Sequence, residues 1–529
     1  MDLILSDITV PLEKDGMTAY LGAAAQKLKT SEEIISILHI LSKSLDIRDT
    51  EQFYYTLTLV VRVHEHYENN QNYPEYKGKT AVKRKIANTK VRPLIVGFGP
   101  AGMFAALEFL AHGIRPIIFE RGKKIEERSI DVQRFIHERE INPESNIQFG
   151  EGGAGSYSDG KLFSRRNYNS SYINRVLRTF VKFGAPKEIE YISKPHLGTD
   201  VLCRIVKNIR RYILDRGGEI HYSAKMTDII ISKGVASGIR INGEQEYLSS
   251  IIYIASGHSA RDTYEMLHKN DIALEQKTIS IGVRIEHPAE TINLMRYGRK
   301  YQNNDEIGAA TYSLNYTNKK RRRGVYTFCM CPGGEVINAS SGHGMLVVNG
   351  MSYSNRSSPF SNAALVVNCH TEDYPSSCTL AGLEFQKDIE QKAYRAGGGN
   401  WKIPAQNLLD FLGDRSSEEL NDNSFKMGAI AADMREVIPE FVANELKTAF
   451  TEWKTKVPLF ISNDAVLIGA ETRTSSPVRI KRNEKYESVN VKNIYPIGEG
   501  SGYTGGITSS AADGIKAVEK SVLRLLRTD

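Results

Sequence analysis

The sequence predicts an α/β protein whose main domain has a Rossmann-like fold and is discontinuous in the chain. Three strand-to-glycine segments indicate this fold, near residues 92–112, 250–262 and 491–506. Residues 282–455 break the alternation of strands and helices, so we expect an inserted α+β domain there. A small α/β module at residues 1–88 precedes the main domain, whose two parts are residues 89–281 and 456–529.

The first glycine segment has the features of a dinucleotide-binding βαβ unit. Leu94–Val96 is a continuous apolar strand, as in a parallel sheet covered on both faces. Gly97 allows a tight turn, Gly99 allows the backbone to approach a pyrophosphate, and Gly102 allows the helix to pack closely. Glu120 follows at the spacing at which a carboxylate accepts hydrogen bonds from a ribose. The predicted contacts of this unit are Gly97, Gly99, Pro100, Ala101, Gly102, Glu120 and Arg121.

Residues 1–88 lack a glycine fingerprint and are predicted to be a separate module. Leu3–Val10 alternates apolar and polar residues, and Phe53–Val63 is rich in aromatic and β-branched residues, so both are predicted strands. Between them, Ser31-Glu32-Glu33 is typical of a helix start, and the apolar residues Ile34, Ile35, Ile37 and Leu38 follow it. We therefore expect a helix in this part of the module.

The rest of the main domain alternates helices and strands. Helical spacing is found over 200–216 and 507–526, and strands are expected at 219–223, 226–232, 250–255 and 491–497. The turn Ser256–Asp262 lacks the spacing of a nucleotide fingerprint, but it follows a strand, where α/β sheets bind ligands. Residues 68–92 are predicted to be a linker.

Composition limits the class of protein. A chain of 529 residues predicts roughly three domains, and a net charge of +7 is too small to indicate a dedicated nucleic-acid binder. No apolar run approaches the roughly 18 residues that a membrane helix needs, and the acidic N-terminus does not fit a secretion signal. Five cysteines in so long a chain indicate reduced thiols, so we expect a cytoplasmic protein.

Three distant glycine segments suit one extended dinucleotide such as FAD, which needs several backbone approaches along its length. Here the chain resembles the two-dinucleotide-fold flavoprotein superfamily, which contains glutathione reductase and the hydroxybenzoate hydroxylases, over about 91–281 and 456–529. The resemblance implies that the first fingerprint binds the ADP half of FAD. It also implies that the late segment binds the ribityl chain and the flavin pyrimidine edge through Gly498, Glu499, Gly505, Gly506 and Ile507. A helix N-terminus there stabilises the negative charge of a reduced flavin.

A closer resemblance extends over nearly the whole chain, including the N-terminal module. The segments 150–162, 256–262, 328–334, 471–479 and 495–500 are similar to those of the family of uncharacterised bacterial FAD-dependent dehydrogenases. The resemblance implies FAD binding and redox activity, without a settled substrate.

The segment Gly150–Leu162 is a polar, glycine-rich loop that suits a position beside the isoalloxazine or the pyrophosphate. Lys161 can bind a substrate carboxylate or stabilise a reduced flavin. The predicted cofactor contacts in this loop and around the second glycine turn are Gly155, Ser156, Ser158, Asp159, Gly160, Lys161, Met226, Ala255, Ser256, Gly257 and Arg261.

Lys161 and His258 are the candidate catalytic residues. His258 lies in the second glycine turn, and an imidazole there can transfer a proton near neutral pH. Arg473 and Arg479 flank three hydroxyl residues and can clamp an anionic substrate.

Cys329 and Cys331 lie two residues apart on a predicted strand, which places both sulfurs on one side. They are either a redox pair or two buried thiols. Cys369 and Cys378 are distant and their spacing fits no zinc pattern, so no metal site is expected.

We therefore predict a FAD-dependent oxidoreductase that transfers hydride between the flavin and a small molecule, with residues 282–455 closing over the flavin. The glycine string at 500–505 is followed by only one helix and no second βαβ unit, so we expect no dedicated nicotinamide domain. Either NAD(P)H binds transiently or a protein carrier supplies the electrons. Two alternatives stay open. The first, suggested by the basic run Lys319–Arg323, is a flavin enzyme or binder that acts on RNA. The second, suggested by the N-terminal module, is a flavin-bound sensor or interaction protein. The sequence leaves the substrate and the oligomeric state undetermined.

Overall fold

The computed structural model describes residues 1–64, 67–78, 84–87, 89–162 and 170–525. The predicted linker at 68–92 lies partly outside the described residues, and so does residue 526, the expected end of the last helix. Within the described ranges, each helix is either too short or too polar to span a lipid bilayer.

The N-terminal module is a three-stranded antiparallel sheet with one helix packed on it. Its elements are β1 (Asp2–Pro11), α1 (Met17–Leu28), β2 (Ile35–Asp46) and β3 (Tyr54–Val63), and β3 is the central strand. The two predicted strands are confirmed. The predicted helix after Ser31 is wrong, because Ser31 caps only one 3₁₀ turn and Ile35 then pairs with Val63 at the start of β2. Pairing with β3 outweighs the local helix signal.

The main domain contains the predicted parallel sheet, with five strands in the order β22-β10-β4-β5-β6. The strands are β4 (Leu94–Val96), β5 (Ile117–Phe119), β6 (Glu219–His221), β10 (Ile252–Ile254) and β22 (Ile494–Pro496). The helices of this domain are α2 (Pro100–Ala111), α3 (Ile125–Glu138), α4 (Ser170–Lys182), α5 (Gly198–Asp215), α6 (Arg261–Lys269) and α12 (Ile507–Leu525). A separate antiparallel sheet joins β6 to β10 and contains β7 (Met226–Ser232), β8 (Val235–Ile241) and β9 (Gln245–Leu248).

The inserted segment is built on a mixed seven-stranded sheet in the order β13-β14-β17-β12-β20-β18-β19. These strands are β12 (Ile279–Pro288), β13 (Asn315–Asn318), β14 (Arg323–Cys331), β17 (Phe360–Cys369), β18 (Ile403–Asn407), β19 (Ala429–Ala431) and β20 (Val466–Glu471). A hairpin of β15 (Glu335–Asn338) and β16 (Val348–Met351) lies beside it. The helices are α7 (Ala289–Tyr301), α8 (Ala381–Ala396), α9 (Leu408–Leu412), α10 (Met434–Val437) and α11 (Glu440–Lys456).

The inserted segment ends later than expected. The second part of the main domain was expected to begin at residue 456, but β20 pairs with β12 and β18 inside the seven-stranded sheet. Just after β20, the strand β21 (Val478–Ile480) pairs with β11 (Leu274–Gln276). The chain therefore leaves the inserted segment between residues 471 and 478. We call residues 279–471 the cap.

The two faces of the cap sheet differ in polarity. Along β12, Ile281, Val283 and Ile285 belong to the apolar core of the cap. Arg284 and Glu286 alternate with them and are fully buried on the opposite face. Buried charges need partners, so this face must be held by ion pairs and hydrogen bonds.

Candidate functional site

The three glycine turns meet at the carboxyl ends of β4, β10 and β22, which are neighbours in the parallel sheet. A Cβ at Gly97 would overlap the carbonyl oxygen of Ala255, so the first turn touches the second. A Cβ at Gly500 would lie 2.6 Å from the carbonyl oxygen of Gly257, so the second turn touches the third. The structure thus brings together segments that are more than a hundred residues apart in the sequence.

The first turn has the geometry that its glycines predict. Gly97 has a φ of 101°, a value that favours glycine, and a Cβ at Gly102 would overlap the carbonyl oxygen of Gly97. Pro100 is the first residue of α2, where its missing N–H breaks no hydrogen bond. A Cβ at Gly498 would lie 2.6 Å from the Cβ of Ala101, so the third turn also touches the start of α2.

The glycine loop at 150–160 lies over the first turn. The N–H of Gly152 donates to the carbonyl of Phe98 at 2.9 Å, and a Cβ at Gly99 would lie 3.6 Å from the Cα of Gly153. A Cβ at Gly155 would lie 3.1 Å from Cγ1 of Ile507 at the start of α12. The loop therefore spans from the first turn to the third.

Two buried hydroxyl groups at these turns lack a hydrogen-bond partner among the described residues, namely those of Ser156 and Ser256. Both were predicted cofactor contacts. Buried hydroxyl groups are normally paired, so these two mark places where a polar ligand atom fits.

Glu120 is held by the backbone of both segments. Its Oε2 accepts from the N–H of Phe98 at 2.8 Å, and its Oε1 accepts from the N–H groups of Gly122 and Gly150, each at 3.0 Å. The sequence did not predict these contacts, which join the first turn to the glycine loop. Binding of a ribose by Glu120 stays a prediction, with one of the four lone pairs of its carboxylate still open.

A pocket of about 390 Å³ lies next to Glu120, at the carboxyl end of β5 and beside β7. Arg121 lines it and forms a two-point ion pair with Asp262, both distances being 2.9 Å. Thr227 of β7 faces the pocket. Because neighbouring residues of a strand face opposite sides, the side chain of Met226, a predicted cofactor contact, is buried in the core. The residues that line the pocket are Arg121, Gly122, Lys123, Asn142, Glu144, Ser145, Ser223, Lys225, Thr227 and Asn242.

The end of the glycine loop binds the cap. Asp159 forms an ion pair with Lys161 at 2.8 Å and a two-point ion pair with Arg356 at 3.1 and 2.7 Å. Lys161 also donates to the carbonyl of Met330 in β14. Ser158 accepts from the N–H of Gly160 at 3.1 Å and so braces the loop. The predicted cofactor residues here thus have contacts within the protein that the sequence did not reveal.

Glu499 lies at the third turn, next to the start of α12. Burial raises its pKa to about 7, although the charge of Lys277 and the N–H of Gly506 both act to lower it. Gly505 and Gly506 are exposed to solvent. The turn therefore places exposed backbone beside a carboxylate whose pKa is about 7.

A buried cluster of charges joins the second turn to the cap. Arg261 donates to Glu390 of α8 at 2.8 Å, and Arg473 donates to the same carboxylate at 3.0 and 2.9 Å. Burial acts to raise the pKa of Glu390, but the two guanidinium groups lower it to about 2. Two cations on one carboxylate leave an excess positive charge.

Arg261 was predicted to contact the cofactor, and its other amino group donates to the thioether of Met345, a weak acceptor.

Arg473 and Arg479 do not form the clamp that the sequence suggested. Arg473 pairs with Glu390, whereas Arg479 donates to Glu275 at 2.6 Å. The two guanidinium groups therefore neutralise different carboxylates.

His258 lies beside the charged cluster. Burial and the positive charge of Arg473 lower its pKa to about 3, so the imidazole is neutral at pH 7. The sequence suggested proton transfer near neutral pH. In the structure, His258 is instead a hydrogen-bonding group without a charge.

Cys329 and Cys331 do not lie on one side of a strand. The register of β14 shifts between Phe328 and Cys331, and Cys329 has a φ of 42°, which interrupts the alternation of side chains. Cys329 is exposed and Cys331 is buried. The protein around the two sulfurs disfavours a charged thiolate and raises the pKa of both thiols, to about 11 for Cys329, so neither is an activated thiolate. No group of metal-ligating side chains occurs among the described residues.

The basic run Lys319–Arg323 lies at the turn between β13 and β14, and part of it is neutralised within the cap. Arg323 forms a two-point ion pair with Asp373 at 2.8 and 2.7 Å, and Arg321 lies 3.3 Å from Glu445. RNA binding by this run stays a prediction.

Three residues that complete the site could not be identified from the sequence, two in the cap and one in the main domain. Glu390 is the partner of both Arg261 and Arg473, and Arg356 is the partner of Asp159. Gln148 lies behind the second turn. None of them stands in a motif, and a glutamate within an amphipathic helix is ordinarily a surface residue.

Comparisons with known proteins identify the class of protein to which the chain belongs. Residues 278–474 match the family model described as FAD-dependent protein, C-terminal domain-like, which coincides with the cap. The protein is a flavoprotein and its cofactor is FAD. Over 98% of its length the chain is 41% identical to a protein of Clostridium beijerinckii described as an uncharacterized protein, of which 98% is covered. The chain belongs to the same family as this relative.

Solved structures with a likeness to the chain include several flavoproteins. One is CtdE in complex with FAD, at 11% identity and a TM-score of 0.33, over 83% of this chain and 85% of that one. Another is the flavin-dependent brominase Bmp2, at 12% identity and a TM-score of 0.37, over 83% and 79%. A third is the glycerol-3-phosphate dehydrogenase from Bacillus halodurans with FAD, at 10% and 0.36, over 84% and 66%.

The residues at the three turns fit FAD. The unpartnered hydroxyl groups of Ser156 and Ser256 suit polar atoms of a cofactor, and the glycines around them admit a close approach. The pocket beside Glu120 has a volume typical of small-molecule sites. At the other end, the exposed Gly505 and Gly506 precede the N-terminus of α12, which favours negative charge.

Proposed function

We propose that the protein is an oxidoreductase that uses FAD to oxidise or reduce a small molecule. The observation that carries the proposal is the convergence of the three glycine turns under the cap. When bound, FAD supplies the hydride acceptor or donor. The chain supplies the binding surface, and the cap closes the site through Arg356, Met330 and Glu390.

The contacts between the main domain and the cap support this arrangement. Lys161 reaches β14, Asp159 binds Arg356, and Arg261 binds Glu390 of α8. These contacts fix the cap over the turns and restrict the access of water, which strengthens electrostatic interactions inside the site. The cap is therefore the proposed source of the substrate pocket.

The charges at this site favour an anionic substrate. Arg261 and Arg473 share one carboxylate, which leaves a positive charge in excess, and Lys161 adds a cation of which 22% of the side chain is exposed. An ammonium with two acceptors has a third proton to donate. Lys161 is therefore the proposed substrate-binding cation, and NAD(P)H is the proposed transient electron donor.

An anaerobic absorbance titration with NADH and NADPH tests the proposal, followed by turnover with ferricyanide as electron acceptor. We expect one nicotinamide to bleach the oxidised-flavin bands and the acceptor to restore them. If dithionite reduces the flavin but neither nicotinamide does, NAD(P)H is not the donor. If no added donor and acceptor cycle the flavin between its reduced and oxidised forms, a sensor would be favoured and the proposed function contradicted.

Two lysine variants provide a matched comparison. Lys161→Met removes the cation at the glycine loop, and Lys320→Met removes an exposed cation from the basic run. We expect the first to lower turnover at least tenfold and the second to leave it unchanged. Equal effects of the two variants on turnover would show that Lys161 does not bind the substrate. If Lys320→Met alone abolished salt-sensitive RNA binding, the RNA alternative would be favoured instead.

A further inference from the structure

Three side chains form a hydrogen-bonded chain at the second glycine turn, which contributes two of them. The amide nitrogen of Gln148 donates to the carbonyl of Ala339 at 3.2 Å, which directs its Oε1 to Ser259. The hydroxyl of Ser259 lies 3.1 Å from that Oε1 and 2.8 Å from Nδ1 of His258. Gln148 is 7% exposed and Ser259 is 8% exposed, so water competes little with these bonds.

The single proton of the Ser259 hydroxyl fixes the direction of the chain. Oε1 of Gln148 is an acceptor only, so the hydroxyl must donate to it. The oxygen of Ser259 is then the acceptor for His258, and Nδ1 must be protonated. The opposite direction would leave a buried amide oxygen facing a lone pair. A neutral His258 therefore has its proton on Nδ1 and its lone pair on Nε2.

The surrounding charges keep His258 in this neutral form. The charged groups that act on its ring are Arg473, Glu390, Lys277 and Arg261. Three of the four are cationic and oppose a second proton on the ring. The one hydrogen bond of the ring among the described residues is at Nδ1, and the side chain is half-buried, so the lone pair of Nε2 is available to a ligand.

We propose that His258 presents Nε2 as a hydrogen-bond acceptor to an O–H or N–H group of the molecule bound at the three turns. Gln148 and Ser259 are positioning residues that fix the tautomer. The donor belongs to the flavin ring or to a hydroxyl or amino group of the substrate. The role toward a substrate rests on the proposed oxidoreductase function, whereas the tautomer does not.

Nitrogen NMR of the FAD-loaded protein, labelled with ¹⁵N-histidine, tests the tautomer directly. The signals of His258 are assigned by their loss in His258→Gln. Between about pH 6 and pH 8, we expect a protonated Nδ1 and an unprotonated Nε2. A protonated Nε2, or an imidazolium, would overturn the proposal. Because the measurement needs no turnover, its failure is distinct from failure of the proposed function.

Variants of the chain test the positioning role. Gln148→Leu removes the acceptor, which frees the Ser259 hydroxyl to donate to Nδ1, so the ring proton should move to Nε2. Ser259→Ala removes the acceptor of Nδ1 and should give mixed tautomers, and Ser259→Thr should restore the original one. An unchanged tautomer in either Gln148→Leu or Ser259→Ala would overturn the positioning role.

The same spectra distinguish the two sources of the donor. A shift of the Nε2 signal when FAD is added to the apoprotein assigns the donor to the flavin ring. If FAD leaves the signal unmoved, the open lone pair is assigned to the substrate. Both outcomes keep Nε2 as the acceptor, and a change of tautomer on FAD binding would contradict it.

Discussion

Gly99 and Gly153 face each other where the glycine loop crosses the first turn, and a Cβ at Gly99 would lie 3.6 Å from the Cα of Gly153. The two residues belong to segments with different roles. Gly99 precedes α2, and Gly153 follows Gly150, whose N–H donates to Glu120. The contact closes the first turn beneath the glycine loop.

Gly99→Ala tests the role of this contact in FAD binding. The φ of −83° at Gly99 suits alanine, and 3.6 Å is an ordinary contact distance, so the variant should fold normally. The added methyl group fills the space between turn and loop, and we expect at least a tenfold weaker affinity for FAD, measured by fluorescence titration. Gly324→Ala in β14 is the control, because its Cβ also meets its nearest atom at 3.6 Å. Equal affinities in the two variants would contradict this role.

Glu390 should be essential to stability. Glu390→Gln leaves Arg261 and Arg473 buried without a counter-charge, and we expect a loss of about 3–5 kcal/mol in the free energy of unfolding. Urea unfolding followed by tryptophan fluorescence measures it, because both tryptophans, Trp401 and Trp453, lie in the core of the cap.

Asp388→Asn on the same helix is the control for Glu390. Its ion pair with Lys392 has side chains that are 55% and 45% exposed, so the loss should stay within about 0.5 kcal/mol. A similar loss in both variants would show that the buried cluster contributes no more than a surface pair.

Glu499 should make stability depend on pH. Its pKa is about 7 in the folded protein against 4.5 in a free side chain, so folding favours the protonated form. This contribution is complete at low pH and is lost as pH rises from about 4.5 through 7. Glu499→Gln mimics the protonated acid. The apoprotein variant should exceed the natural protein by about 2 kcal/mol at pH 8, after allowance for partial exposure, and by almost nothing at pH 4. A constant difference across this range would contradict the assignment.

Cys329 should react slowly with thiol reagents at neutral pH despite its exposure. Neighbouring protein atoms displace water from the sulfur and raise its pKa to about 11, so few molecules carry the reactive thiolate at pH 7. In Cys378→Ser, which removes the other exposed thiol, the rate of alkylation at Cys329 should rise about tenfold per pH unit up to about pH 11. Rapid labelling at pH 7 would revive the redox-pair interpretation.

The first glycine turn and the parallel sheet could be predicted from the sequence because local chemistry determines them. The tight turn at Gly97 has a positive φ, which favours glycine, and Leu94–Val96 is apolar on both faces. Neither feature depends on contacts with distant residues. The residues after Ser31 could not be predicted in the same way. Their helix-like start is overridden by pairing with β3, which is a contact between distant residues.

The charged cluster shows the same limit at the site. Arg261 stands in a recognisable turn, but its partner Glu390 lies more than a hundred residues away in an ordinary helix. Cys329 and Cys331 suggested a shared strand face, and a register shift with a positive φ separates them. Such details depend on how the cap packs against the main domain, which no local pattern encodes.

A crystal structure of the FAD-loaded protein tests the central claim most directly. We expect one FAD per chain, with its pyrophosphate at Gly99 under the glycine loop, its ring beside Gly505 and Gly506, and its adenosine in the pocket next to Glu120. Density for the flavin away from the three turns, or a folded protein that binds no FAD after reconstitution, would contradict the account.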